Sequence, residues 1–287
     1  RRFAFIANLR HIWPFSWLCE VLNVSRSGFH AWLTRPTSAH EIQDARLVTA
    51  IEASFKASDR SYGARRVWRD VLEDGLACGL HRIERLMRIN VLRARPRRRG
   101  KPKDDGERSV IADNILDRDF QADRPNRKWL ADFTYIWTAE GWLYVAVVLD
   151  LFSRRIVGWS MQPTMTRSLV IDALKMAVRL RRPKGRVVVH SDQGSQYGSD
   201  DWHRFCAHNK LVPSMSRRGN CWDNACSETL FGSLKVERLH GQRFKTRRQA
   251  MDEVVAWMFW YNRTRLHSTL AYVSPMRFEE TLSLLHI

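Results

Sequence analysis

The chain has 287 residues, 44% of them hydrophobic and 12 of them tryptophan, enough for two domains or one large domain with appendages, and this excludes wholesale disorder. Its 48 Lys+Arg against 30 Asp+Glu give a formal net charge of +18, so the natural partner is a polyanion. No run of roughly 18 apolar residues occurs, and no membrane span is expected.

The positive charge is spread along the chain. Residues 1–110 carry 22 basic and 12 acidic side chains, the remainder 26 and 18, so both parts are expected to face nucleic acid. The five cysteines (Cys19, Cys78, Cys206, Cys221 and Cys226) are irregularly spaced and form no CxxC pair; they suit reduced thiols in a cytosol. The N-terminal string RRFAFIANLR has no long apolar core and no small-residue cleavage site, and no signal peptide is expected. It also lacks an initiator Met, which suits a fragment or the downstream part of a fused product.

Residues 1–36 read as short helices. WLCEVLNVSRSGFHAWL places apolar side chains at Leu18, Val21, Leu22, Val24, Phe29 and Trp32, with Ser25 as N-cap of the second helix. Two helices across a tight turn describe a helix-turn-helix whose second helix, opened by Arg26, enters a major groove; a hairpin that only packs is the alternative. Residues 37–92 read as a second helical module. It has a helix over 41–56 and two more in SYGARRVWRDVLEDGLACGLHRIERLMRINVL, where Ile83, Leu86, Met87 and Val91 share a face and Arg65 and Arg66 are assigned to DNA. Residues 93–123 open with RARPRRRGKPKDD, a cationic linker in which Arg97, Arg98 and Arg99 are expected to track the phosphate backbone.

From about 124 the pattern changes to strand period. KWLADFTYIWT, GWLYVAVVLDL and SRRIVGWSM describe an antiparallel meander. A helix follows over about 166–181, then RVVVHS, a short apolar strand of the buried parallel type. Helices near 199–208, 223–239 and 246–262 follow, with LVPSM as a short strand between the first two. This order predicts an α/β, ribonuclease-H-like domain over 124–287, ending in a helical tail and preceded by the all-α, helix-turn-helix-like region.

Three acids stand out. Asp132 lies on a strand that is apolar on both faces, where a lone carboxylate is costly unless paired or metal-bound. Asp192 follows the carboxyl end of RVVVHS, where open α/β sheets bind ligands. Glu228 follows Asp192 with 35 residues between them, on a helix that Asp223 is placed to cap. Asn224, Glu228, Phe231 and Lys235 share one helical face, so Lys235 is expected on a DNA phosphate about two turns from Glu228. The basic loop before this helix contributes Arg217 and Arg218. Three such carboxylates can converge on a pair of divalent metals, a site that cuts or joins phosphodiesters. Thr134, His190 and Asp150 are expected around them: His190 as a packed neighbour or proton carrier, Asp150 as a rival ligand or, preferably, the residue that orients the turn after its strand.

WLADFTYIWT, VVLDLFSRRIVGW, HSDQGSQYGS, MSRRGNCWDNACSETLFGSLKVE and YNRTRLHSTLAYVSPMRF, in this order, resemble the second reading frame of the IS-three insertion-sequence transposases and, more distantly, retroviral integrase cores. The resemblance covers nearly the whole chain. It implies that Asp132, Asp192 and Glu228 form a DDE triad holding two Mg2+ or Mn2+ ions. It further implies binding of terminal inverted repeats and target DNA, strand cleavage and transfer in a homo-oligomeric complex, and an upstream-frame partner or fusion. Tyr261 and His267 have no clustered Arg-His-Arg partners, and Ser195 has no adjacent base, so tyrosine and serine recombinases are disfavoured. A ribonuclease-H-type nuclease that cuts without joining, and an inactive DNA-binding repressor, are the alternatives.

Overall fold

The α/β core is built on one five-stranded sheet, and each strand's position follows from its burial. In the computed structural model, residues 2–95, 112–217 and 225–285 are described. The strands are β1 (Lys128–Thr138), β2 (Gly141–Asp150), β3 (Arg155–Gln162), β4 (Val187–Ser191) and β5 (Leu211–Met215), in the order β3-β2-β1-β4-β5. β1, β2 and β3 are antiparallel; β4 and β5 run parallel to β1. β1 is thus central, as its two apolar faces require. Pro213, which lacks an amide donor, sits in edge strand β5.

Alternation along β1 and β2 divides the core in two. Leu130 and Ile136 of β1 with Val145, Val147 and Leu149 of β2 face one layer of helices. That layer is α9 (Ala225–Leu234), which continues as a π-helical turn over Lys235–Leu239, and α10 (Arg247–Arg263). Trp129, Ala131, Ala146 and Val148 face the other layer, α7 (Arg167–Arg181) and α8 (Asp200–His208). α7 lies directly on β3 because Gly158 has no side chain: a Cβ there would stand 2.3 Å from the Ala173 carbonyl oxygen. The tail helix α11 (Pro275–Leu285) is tied to the sheet by Glu279, which accepts from Ser153 Oγ (2.6 Å), Arg155 (2.7 Å) and Arg181 (2.9 Å).

The N-terminal helices are α1 (Arg2–Leu9), α2 (Phe15–Val21) and α3 (Arg26–Thr34), around Ile6, Leu18, Cys19 and Phe29, and then α4 (Ala39–Ala57), α5 (Ala64–Glu73) and α6 (Leu80–Ile89). Ser25 caps α3 as expected, accepting from the Gly28 amide at 3.0 Å, and Ser38 with Glu41 forms a capping box on α4. Three apolar expectations fail. Val21, at the last residue of α2, is 62% exposed, Trp32 of α3 39% and Val91 75%. α6 stops at Ile89 and Val91 turns to φ 57°, so that the Leu92 amide bonds back to Met87 O at 2.8 Å and Leu92 packs instead.

The α4–α6 cluster also packs on the core through Trp260 and Leu266. The Tyr62 hydroxyl accepts from the Leu266 amide at 2.8 Å. Between the two lies a buried carboxylate, Glu237 of the π turn. Arg265 grips it with both forks (Nε–Oε2 2.8 Å, Nη2–Oε1 2.6 Å), Trp257 Nε1 donates to it at 3.3 Å, and Arg66 approaches to 3.7 Å.

Candidate active site

β1 and β4 bring the two aspartates to one place. The parallel register ends at Leu130 with His190, two residues before Asp132 and Asp192, and the Asp192 carboxylate is near enough to act on Asp132. Alternation turns Asp132 to the face covered by α9, the helix that carries Glu228. The Phe133 amide donates to Asp132 Oδ1 at 2.7 Å, and the Gly194 amide to Asp192 Oδ1 at 3.0 Å. The hydroxyl of Ser227, one residue before Glu228 and buried, also hydrogen-bonds the Asp132 carboxylate.

Asp132 is strongly perturbed. Burial first, then the Asp192 carboxylate, raise its pKa; Ser227 and the Phe133 amide lower it, Glu228 raises it, and the net result is about 7. Tyr197, fully buried between Phe133 (6.4 Å) and Trp202 (5.0 Å), is pushed well up by burial and then by both aspartates. Lys235 extends to 5.6 Å from the Tyr135 ring; burial lowers its pKa and Asp132 opposes that.

Two mutually repelling carboxylates make a donor set suited to a hard divalent cation, which turns their repulsion into coordination. Among the described residues, no three His, Cys, Asp or Glu side chains come close enough to hold one metal ion. Glu228, exposed at the start of α9, is therefore felt electrostatically by Asp132 without joining the aspartates in a three-ligand cluster.

The surrounding residues separate into groups. His190 is fully buried and meets Ser214 Oγ at 2.9 Å. That oxygen already accepts the Ile115 and Leu116 amides, so its proton is the one available to His190 Nδ1. The packed reading of His190 fits this. Thr134 is buried two residues beyond Asp132 on the same face. Asp150 is not beside the acids. It pairs with Trp129, whereas Asp132 pairs with Val147. It accepts the Phe152 amide at 3.1 Å, the Asn126 amide at 2.8 Å and Arg181 at 3.3 Å, which is the turn-orienting role. Tyr261 is buried and its hydroxyl meets His267 Nε2 at 3.0 Å, a packing pair.

Of the cations assigned to DNA, Arg26 and Arg65 are exposed and Lys235 adjoins Asp132. Arg66 is a correction: it turns inward over the Tyr62 ring (5.2 Å) to Glu237, because a buried carboxylate requires positive charge around it. Arg95 of the cationic segment likewise donates to the Val236 and Glu237 carbonyls (3.4 and 3.2 Å). Arg217 pairs with Asp117 at 2.8 Å on the surface. Arg97, Arg98, Arg99, Arg218, Asn224 and the expected cap Asp223 lie outside the described residues. Sequence reasoning missed Ser227, Glu237 and Arg265. A charged pair 28 positions apart leaves no local pattern, and a serine before a glutamate is too common to signal.

Comparison with known proteins gives this arrangement its context. Two models of the integrase core domain match residues 122–221 and 228–282, and an HTH-like domain matches 41–100. Transposase InsF for insertion sequence IS3A of Escherichia coli is 40% identical over 266 residues, covering 91% of this chain and 92% of the relative. The IS600 31 kDa protein of Shigella sonnei is 37% identical, covering 92% and 97%. Among solved structures, the simian T-cell lymphotropic virus intasome complexed with a PP2A regulatory subunit aligns at TM-score 0.46 and 14% identity, over 71% of this chain and 67% of that one. The HTLV-2 integrase catalytic core with magnesium aligns at 0.43 and 16%, over 54% and 97%.

Proposed function

The chain belongs to the IS3 family of insertion-sequence transposases, and from that membership we propose that Asp132, Asp192 and Glu228 are the acids with which it cuts and rejoins DNA. It is a DNA transposase with an integrase core, an enzyme of the polynucleotidyl transferase class. A pair of Mg2+ or Mn2+ ions would be held by the two aspartates, with Glu228 completing one position once it moves in from the start of α9, and would supply activation of a water or DNA 3′-hydroxyl and charge relief on the leaving oxygen. The chain's own groups do the positioning. The Phe133 amide and Ser227 hydroxyl fix the Asp132 carboxylate, the Gly194 amide fixes Asp192, and the Lys235 ammonium binds a phosphate oxygen beside them.

The observation that carries the reading is the meeting of Asp132 on β1 with Asp192 just after β4, under the helix whose Ser227 bonds Asp132 and whose next residue is Glu228, in a chain 40% identical to a transposase. The substrates are the terminal inverted repeats and a target duplex, bound by a homo-oligomer, with an upstream-frame segment or partner contributing. Residues 1–92 carry end recognition, and the exposure of Arg26 and Arg65 supports phosphate contacts there. Each of Asp132→Asn, Asp192→Asn and Glu228→Gln is expected to abolish transfer of labelled 3′-hydroxyl ends while retaining DNA binding in a mobility-shift assay. Normal transfer by any one variant overturns its assignment. Cleavage without joined product in the parent protein would favour a nuclease.

A further inference from the structure

The hairpin joining β1 to β2 holds three large rings in water: Tyr135, Trp137 and Trp142 are 53%, 60% and 42% exposed. The register pairs Tyr135 with Tyr144 and Trp137 with Trp142, so the rings stand on one face of the sheet. They are ordered among themselves. Trp142 stands edge-on to Tyr135 (centroids 5.1 Å) and to Trp137 (4.8 Å). A two-residue hairpin does not need this; contiguous exposed rings mark a binding surface.

Its rim is cationic. Lys235 Nζ lies 5.6 Å from the Tyr135 ring, and Arg247 donates to the Trp142 carbonyl at 3.0 Å. The acid at the hairpin, Glu140, accepts the Arg247 amide at 2.8 Å. The surface adjoins the acids in two ways. Tyr135 is three residues beyond Asp132, about 10 Å along the strand and on the opposite face of the sheet, and Lys235, which reaches the Tyr135 ring from the helix covering the Asp132 face, lies within the electrostatic field of Asp132. β4 pairs with β1 only as far as Leu130, so among the described strands none covers the β1 edge between acids and rings. Flat π faces with ammonium and guanidinium groups at their rim complement bases joined by phosphates; an apolar protein segment would desolvate those cations without replacing their water.

We propose that Tyr135, Trp137 and Trp142 form a stacking platform for unpaired bases of a DNA strand that crosses the open β1 edge from a phosphate held at Asp132, Asp192 and Lys235. The platform rests on the transposase reading for the location of that phosphate. Stacking is indifferent to base identity, so it steadies a frayed or opened end of any sequence.

The test uses the full chain without metal and two oligonucleotides labelled with 2-aminopurine, one fully paired and one with a short unpaired end. The parent protein is expected to quench the unpaired probe and bind that DNA more tightly than the duplex. Trp137→Ala and Tyr135→Leu should each abolish the quenching and weaken binding of the unpaired end about tenfold, the loss of roughly one base–aromatic stack. Duplex affinity and thermal midpoint should not change, because these rings lie outside the core. Parental affinity and quenching in both variants overturn the platform. So does a loss of self-association in sedimentation with quenching intact, which would make the rings a surface for a second copy. Binding is read without turnover, so failure here leaves the acid triad standing, and normal transfer by Asp192→Asn would leave the platform standing.

Discussion

Asp132 sits where a strand must be apolar, and its proton shows the cost. Its folded pKa, about 7, lies above the ordinary 3.8, so the folded protein holds this proton more tightly than the unfolded chain. Stability from this group is therefore greatest at low pH and declines as pH rises from about 4 to about 7. Asp132→Asn removes the charge and is expected to stabilise the metal-free protein by more than about 1 kcal/mol at pH 8, with no gain near pH 4. Thermal melts at both pH values check this; an equal gain at the two would mean the carboxyl is not perturbed. Added Mg2+ should stabilise the parent more at pH 8 than at pH 5, because protons compete for the same oxygens. Asp132, Asp192 and Glu228 were legible as candidates because carboxylates interrupt apolar runs at a recognisable spacing. Ser227 was not, since its role exists only where α9 crosses β1.

The helix that carries Glu228 ends in a turn that shares, with Trp260 and Leu266, the meeting of the α4–α6 module with the core. It continues from α9 into a π turn at Lys235–Leu239, and π turns occur frequently at functional sites. The turn presents Lys235 outward and buries Glu237 against Arg265, which is 2% exposed. Glu237→Leu leaves that guanidinium buried without its counter-charge and is expected to cost about 3–5 kcal/mol in urea unfolding. Glu237→Leu with Arg265→Met removes both charges and should recover most of the loss; a double variant as unstable as the single would refute the buried-charge account. The sequence shows a helix over 223–239, but periodicity averaged over its length hides one wide turn. The five strands were readable for the opposite reason: short β-branched and aromatic runs between turn residues have few other uses.

At the scale of the whole molecule, a +18 chain presents exposed cations on the N-terminal helices and beside the acids, while others are taken up internally. Affinity for non-specific duplex DNA should fall by about a thousandfold or more between 50 and 200 mM salt if some six or more phosphates are neutralised. Fluorescence anisotropy gives the slope, and a log–log slope shallower than about −3 would mean that only about three phosphates are met. No helix among the described residues is long and apolar enough to cross a membrane. The sequence by itself pointed to a polyanionic partner, the strand and helix order and three candidate acids, because charge, period and spacing are local properties of the chain. Only the tertiary structure decided that Asp132 and Asp192 come near one another, that Asp150 serves a turn, and that Arg66 and Arg95 turn inward to the Glu237 segment. It also decided that the hairpin rings stand together in water. Each of these depends on a partner distant in sequence, and burial, pairing and field strength are fixed only when those partners meet.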